Sequence, residues 1–140
     1  MNSTLINIKK INGMETIIKI YYAHSKLIYG TSNETEELEF IKEKFPKANI
    51  ICPHTTVNEL TDFQDYLHVV DCCTLLIASE VEGYIGKGIF CEISRAFGNG
   101  TQVSVLRKQN NQYSLSQVIG IEIINQNAWK NNYGKLIVKQ

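Results

Sequence analysis

Gly83-Tyr84-Ile85-Gly86-Lys87-Gly88-Ile89-Phe90-Cys91-Glu92-Ile93-Ser94-Arg95-Ala96-Phe97-Gly98-Asn99-Gly100 lies between two strand-like runs, Cys72 to Ala78 and Gln102 to Leu106. Glycines are loosely spaced through its first part. From Ile89 onward Ile89, Ile93, Ala96 and Phe97 recur at helical intervals, until Gly98 and Gly100 stop the pattern. The spacing predicts a strand, a loop, a helix over 88–98 and a further strand. Glycines at such a junction, here Gly86 and Gly88, let backbone N–H groups approach a ligand closely, and the dipole at the helix start favours negative charge. Glu92 is expected in the first turn, ionised by that dipole, on a flank of the buried stripe and pointing across the strand ends. Glycine-rich turns are also common connectors, and a glutamate in a first helical turn is ordinary capping chemistry.

The alternation of strand and helix extends in both directions. Ile17 to Ala23 reads as a buried strand, followed by a polar loop, His24-Ser25-Lys26 through Tyr29-Gly30-Thr31. Thr31 with Glu34, or Asn33 with Glu36, has capping-box spacing, and Leu38, Ile41 and Phe45 then mark a helix over 33–45 whose glutamates read as a solvated face. Pro46 ends it. Ala48 to Cys52 is a short strand, and His54, just beyond, reads either as a turn residue beside Pro53 or as a group facing the cleft. Val57 to Val70 carries Leu60, Phe63, Leu67 and Val70 at helical spacing, and Asp71 follows it. Cys72 to Ala78 is apolar enough for a central parallel strand covered on both faces. Glu80 and Glu82 lead into the glycine-rich stretch, Arg107 and Lys108 lie just past the strand at Gln102 to Leu106, and Val118 to Ile124 is a fifth strand. Leu136 to Lys139 is a candidate edge strand, or the tail reaches a neighbouring subunit. At the other end, residues 1–15 form either a loose extension or an added strand, with Asn12-Gly13 suited to a hairpin turn.

The expected architecture is therefore α/β: one domain over 1–140, a three-layer sandwich with a flavodoxin- or Rossmann-like, mostly parallel five-stranded sheet and right-handed crossovers. Ligands of open α/β sheets sit outside the carboxyl ends of the strands. The loops at 24–31 and 53–56, the acidic pair Glu80 and Glu82, and the turn from Gly86 to Glu92 all belong there.

Fourteen basic and fourteen acidic side chains cancel, so no global field recruits a nucleic acid polymer or an anionic membrane. No apolar run nears the roughly 20 residues that span a bilayer, and no signal-peptide order opens the chain, which points to the cytoplasm. Cys52, Cys72, Cys73 and Cys91 show no C-x-x-C, and His24, His54 and His68 no H-x-x-x-H, so no metal is expected and the thiols should be free and mostly buried.

The pattern Gly-x-x-x-Glu-Ile-x-x-Ala-x-x-x-Gly-x-x-Val, carried by Gly88, Glu92, Ile93, Ala96, Gly100 and Val103, resembles the signature of the nucleoside 2-deoxyribosyltransferase superfamily, with the 2′-deoxynucleoside 5′-phosphate N-hydrolases among its members. The resemblance covers about residues 17–106. It implies that Glu92 is the nucleophile at the anomeric carbon and that Tyr21 holds its rotamer. It gives Asp71, at the strand entrance, an acidic role, although an Asp there is also ordinary turn chemistry. It makes His24, Ser25 and Lys26 candidates for phosphate or ribose contacts, with His54, Glu82, Gly86 and Gly88 completing the substrate site. The chain departs from the pattern at Gly86, where the transferases carry Asp and the hydrolases Ser, and at Phe90, where many members have a small residue.

The implied chemistry is cleavage or transfer at the N-glycosidic bond of a small nucleoside or nucleotide, through a glycosyl-enzyme ester that water or a second base resolves. No cofactor is required, and a homo-oligomer, a dimer or larger, is expected by the same resemblance. Gly86 and Phe90 favour a different class, binding or sequestration of a nucleotide or ADP-ribose-type signal without turnover. An interaction domain with no ligand is the third reading.

Overall fold

The computed structural model describes residues 10–11, 14–15, 18–53, 55, 63–124 and 132–140. His54 and the first half of the helix expected from Val57 lie outside the described residues. The elements are β1 (Lys10–Ile11), β2 (Met14–Glu15), β3 (Lys19–Ala23), a 3-10 turn (Lys26–Ile28), α1 (Ser32–Lys44), β4 (Asn49–Ile51) and α2 (Phe63–Asp71). After these come β5 (Leu75–Ser79), α3 (Lys87–Gly98), β6 (Gln102–Gln109), β7 (Gln112–Ile123) and β8 (Gly134–Val138). β1 and β2 pair with each other in a ribbon separate from the main sheet.

The main sheet has six strands in the order β4-β3-β5-β6-β7-β8. The first four are parallel, whereas β7 runs antiparallel to β6 and β8 antiparallel to β7. The fold is thus α/β with a mixed sheet, and the expectation of five mostly parallel strands is corrected at this edge. The error lies in residues 107–117. Arg107 and Lys108 belong to β6, which turns through Asn110-Asn111 (φ 52° and 62°) straight into β7. Two successive left-handed residues make a hairpin turn whose twist matches the strands, and asparagine tolerates that conformation better than most residues. The hairpin tip is exposed, so its polar composition resembles a loop.

β5 is buried along its whole length, as its unbroken Leu75-Leu76-Ile77-Ala78 requires. Alternation along the strands splits the core in two. Tyr21, Ala23, Leu76, Ala78, Val103 and Val105 pack with Val70 of α2 and with Ile89, Ile93 and Ala96 of α3. On the other face Ile20, Tyr22, Leu75 and Ile77 pack with Ile41 of α1. Cys72 and Cys73 precede β5 rather than opening it, since their N–H groups donate to Val69 and Val70 in a turn that ends α2. All four cysteines are free; Cys52 and Cys73 are buried, but Cys72 is exposed, contrary to the general expectation of burial. No described helix is long and apolar enough to cross a membrane.

Two devices fix the start of α3. Val81 and Tyr84 exchange backbone hydrogen bonds across a turn with Glu82 at φ 55° and Gly83 at φ 85°. Ile85 then pairs with Gly134, donating to its carbonyl at 2.9 Å and accepting its N–H at 3.1 Å. A Cβ at Gly134 would stand 3.1 Å from the Glu122 carbonyl oxygen and 3.0 Å from Ile121 Cγ2, so a larger residue would require β7 to give by a few tenths of an ångström.

The core makes two opposite predictions for urea denaturation. Ile77→Ala, at a fully buried position of the central strand, should lower stability by about 2–5 kcal/mol. The Ser104 hydroxyl is buried without a hydrogen-bond partner. Its removal in Ser104→Ala should be neutral or stabilising by up to about 1 kcal/mol.

Candidate functional site

Glu92 is the sixth residue of α3, one turn deeper than expected, and no acidic residue occupies the first turn. The dipole's influence fades beyond that turn, so it does not set the ionisation of Glu92. Burial does. The residue is 9 % exposed, and desolvation pushes its carboxyl from the ordinary 4.5 up to about 7, opposed by one hydrogen bond. That bond comes from the Tyr21 hydroxyl, which donates to Glu92 Oε2 at 2.6 Å. Tyr21 is wholly buried, and its phenol is held in the protonated form by burial first and the adjacent Glu92 second. The pair joins β3 to α3 across the sheet face that α2 also covers.

Tyr29 lies beside this pair. Its hydroxyl is pushed up to about 12, chiefly by burial and then by the Glu92 carboxylate, and Tyr66 of α2 is close enough to influence both Tyr21 and Tyr29. The Tyr29 ring also packs on His24, with centroids 4.9 Å apart.

His24 is buried and fully engaged. Its ring stacks on Tyr22 at 3.9 Å, Nδ1 lies 3.1 Å from the Tyr22 carbonyl oxygen, and Nε2 is 2.6 Å from Glu34 Oε2. Glu34 Oε1 accepts the Gly30 N–H at 2.9 Å, while Thr31 caps the helix by accepting the Glu34 N–H. The capping box is therefore displaced, with the glutamate reaching past the cap to Gly30 and His24. Cys52 Sγ lies 3.9 Å from Glu34 Oε2.

A second phenol–carboxylate pair occupies the opposite face. Tyr22 donates to Glu37 Oε1 at 2.5 Å, and Ser79 donates to Glu37 Oε2 at 3.0 Å. Burial raises the Glu37 carboxyl above its ordinary range despite these two donors. The glutamates of α1 are thus not all a solvated face. Glu34 and Glu37 continue the stripe of Leu38, Ile41 and Phe45 back toward the helix start at spacings of three and four. That continuation was the available signal, and the charge of the side chains concealed it.

The remaining candidates have other occupations. Asp71 receives both Nε and Nη2 of Arg95, at 2.7 and 2.6 Å, and the Asn99 amide, at the last turn of α3; the guanidinium holds its carboxyl low, at about 2. The structure therefore does not bring Asp71 to Glu92. Glu80 is held by Arg107 at 2.9 and 3.0 Å. Glu82 is an exposed turn residue, Ser25 caps the 3-10 turn by accepting the Leu27 N–H at 3.1 Å, and Lys26 is exposed. Gly86 is the N-cap of α3, in extended conformation at φ −85°, with no side-chain cap; Gly88 is exposed in the first turn. Phe90 packs on Tyr133 with ring centroids 5.0 Å apart.

An open cleft of about 370 Å³, bordered by Asn33, Glu37, Glu80, Arg107, Lys108 and Tyr113, lies on the α1 face and includes neither Glu92 nor Tyr21. Comparison with models of known protein families gives no match, and comparison with curated proteins gives no significant one. What the fold and the site define is an α/β domain whose buried tyrosine–glutamate pair joins a parallel strand to the helix packed on it.

The Glu92 shift has a defined consequence. The unfolded carboxyl ionises near 4.5 and the folded one near 7, so between these values the native state binds more protons and stability falls as pH rises. The contribution is complete below pH 4.5 and gone above 7, and amounts to on the order of 3 kcal/mol at about 1.4 kcal/mol per pH unit. Urea denaturation against pH should show this fall in the wild-type protein relative to Glu92→Gln. Tyr21→Phe, which deletes the donor favouring the charged form, should move the Glu92 titration above about 7.

Proposed function

We propose that this chain cleaves or transfers at the N-glycosidic bond of a small nucleoside or nucleotide, with Glu92 as nucleophile and Tyr21 as the group that holds its rotamer. The observation that carries the reading is the 2.6 Å bond from Tyr21 to Glu92, which fixes one carboxylate oxygen and leaves the second for the sugar. It is supported by the resemblance of Gly88, Glu92, Ile93, Ala96, Gly100 and Val103 to the deoxyribosyltransferase signature and by an α/β fold with a mixed sheet.

The carboxylate attacks C1′ as the C1′–N bond breaks, forming a glycosyl ester, and water or an acceptor base then displaces it. A group titrating near neutrality suits this exchange, since the ester leaves as readily as it forms. Asp71 and Glu80 are taken up by arginines, so the departing base takes its proton from solvent water rather than from either of them. The reaction so written needs no cofactor. A homo-oligomer in the cytoplasm belongs to the same reading.

A second reading, nucleotide binding without turnover, is favoured by one observation: Glu92 is buried, while the open cleft lies against Glu37, Arg107 and Lys108. One experiment separates the two. Purified protein is incubated with deoxynucleosides, deoxynucleotides, ribonucleotides and NAD, with and without an acceptor base, and free base and retained ligand are resolved by chromatography and mass spectrometry. Base release should fall by about 1,000-fold or more in Glu92→Gln, and kcat/KM should rise with pH around a midpoint near 7 as the nucleophile ionises. Release at the wild-type rate in Glu92→Gln sinks the enzyme reading. Retention of an intact nucleotide without turnover establishes the second.

A further inference from the structure

His24, Glu34 and Cys52 come from three separate segments, the end of β3, the first turn of α1 and the residue after β4. Their donor atoms Nε2, a carboxylate oxygen and Sγ all lie within 4.8 Å of one another, and all three residues are buried. We propose that they form a binding site for one divalent transition-metal ion of the zinc type.

The donor set is the first argument. Imidazole, thiolate and carboxylate together suit a borderline-soft ion such as Zn²⁺ rather than Mg²⁺ or Ca²⁺, which take oxygen ligands. Three protein ligands leave a fourth position for water or a bound molecule.

The second argument is orientation. The Nδ1 hydrogen bond to the Tyr22 carbonyl, with the ring stacked on Tyr22, fixes the imidazole so that Nε2 is the nitrogen turned to Glu34. A backbone carbonyl on the far nitrogen is the usual support of a metal-binding histidine. Glu34 is steadied the same way, since Oε1 accepts the Gly30 N–H and Oε2 turns toward both His24 and Cys52.

Charge balance is the third: a thiolate, a carboxylate and a neutral imidazole together carry two negative charges, which a dication cancels, so the occupied site holds no buried unpaired charge. The site goes beyond the proposed reaction, which draws nothing from it.

The test uses the full chain, freed of metal with a chelator. Titration with Co²⁺ should give one equivalent of binding, with a thiolate-to-metal charge-transfer band and the visible bands of a four-coordinate ion. Calorimetric titration with Zn²⁺ in buffers of different ionisation enthalpy should report proton release on binding, as a thiolate ligand requires. Cys52→Ser should abolish the charge-transfer band, and the near-isosteric Glu34→Gln should weaken Zn²⁺ binding by about 100-fold, whereas Glu92→Gln should leave both unchanged. Absence of saturable one-to-one binding in the wild-type protein overturns the proposal. So does a charge-transfer band that survives Cys52→Ser, which would assign the metal to the thiols of Cys72 or Cys91. Because the wild-type titration decides by itself, a variant that fails to fold does not shelter the idea.

Discussion

The hydrogen bond from the Tyr21 phenol to the Glu92 carboxylate is the constraint around which the rest is arranged. A carboxyl group buried among Ile89, Ile93 and the strand residues is tolerable only with a partner, and the partner must itself be buried and must remain a donor. Tyr21 meets both conditions because β3 is an inner strand, flanked by β4 and β5. The bond also requires α3 to keep one rotation and depth against the sheet. That is what the turn at Val81–Tyr84 and the pairing of Ile85 with Gly134 secure, so a glycine of the last strand bears on the geometry of a carboxylate in a different layer.

Alternation along β3 doubles the motif. Tyr21 and Tyr22 are neighbours in the chain and therefore face opposite ways, one to Glu92 on α3 and the other to Glu37 on α1. The two sites differ in access. Glu92 is enclosed on the face shared by two helices, whereas Glu37 borders the open cleft beside Arg107 and Lys108. This asymmetry divides chemistry from binding in the two functional readings, since a shielded carboxylate has the tuned ionisation and an open cleft has the room.

The acidic groups fall into two classes by partner. Asp71 and Glu80 face arginines, and a guanidinium satisfies a carboxylate while keeping it charged. Glu92 and Glu37 face hydroxyls, and Glu34 faces a histidine; phenols supply hydrogen bonds without compensating charge, so burial wins and the two carboxyls rise. The two carboxyls raised by burial, Glu92 and Glu37, thereby both lie against β3, while those paired with arginines serve to hold elements together.

The sequence by itself determined the alternation of strands and helices, the central place of Leu75–Ser79, the span of α3 within one residue, and the meeting of Tyr21 with Glu92 that its resemblance implied. These features follow from apolar periodicity and from side chains whose types leave few alternatives. Tertiary structure alone decided the rest. It extended β6 into a polar hairpin, because strands whose side chains meet water carry no apolar signal. It gave Asp71 to Arg95, because a charge pair joining two helices has no fixed spacing. And it brought His24, Glu34 and Cys52 together from positions ten and eighteen residues apart, because a cluster built where a strand end, a helix start and a neighbouring strand converge exists only once the sheet has formed.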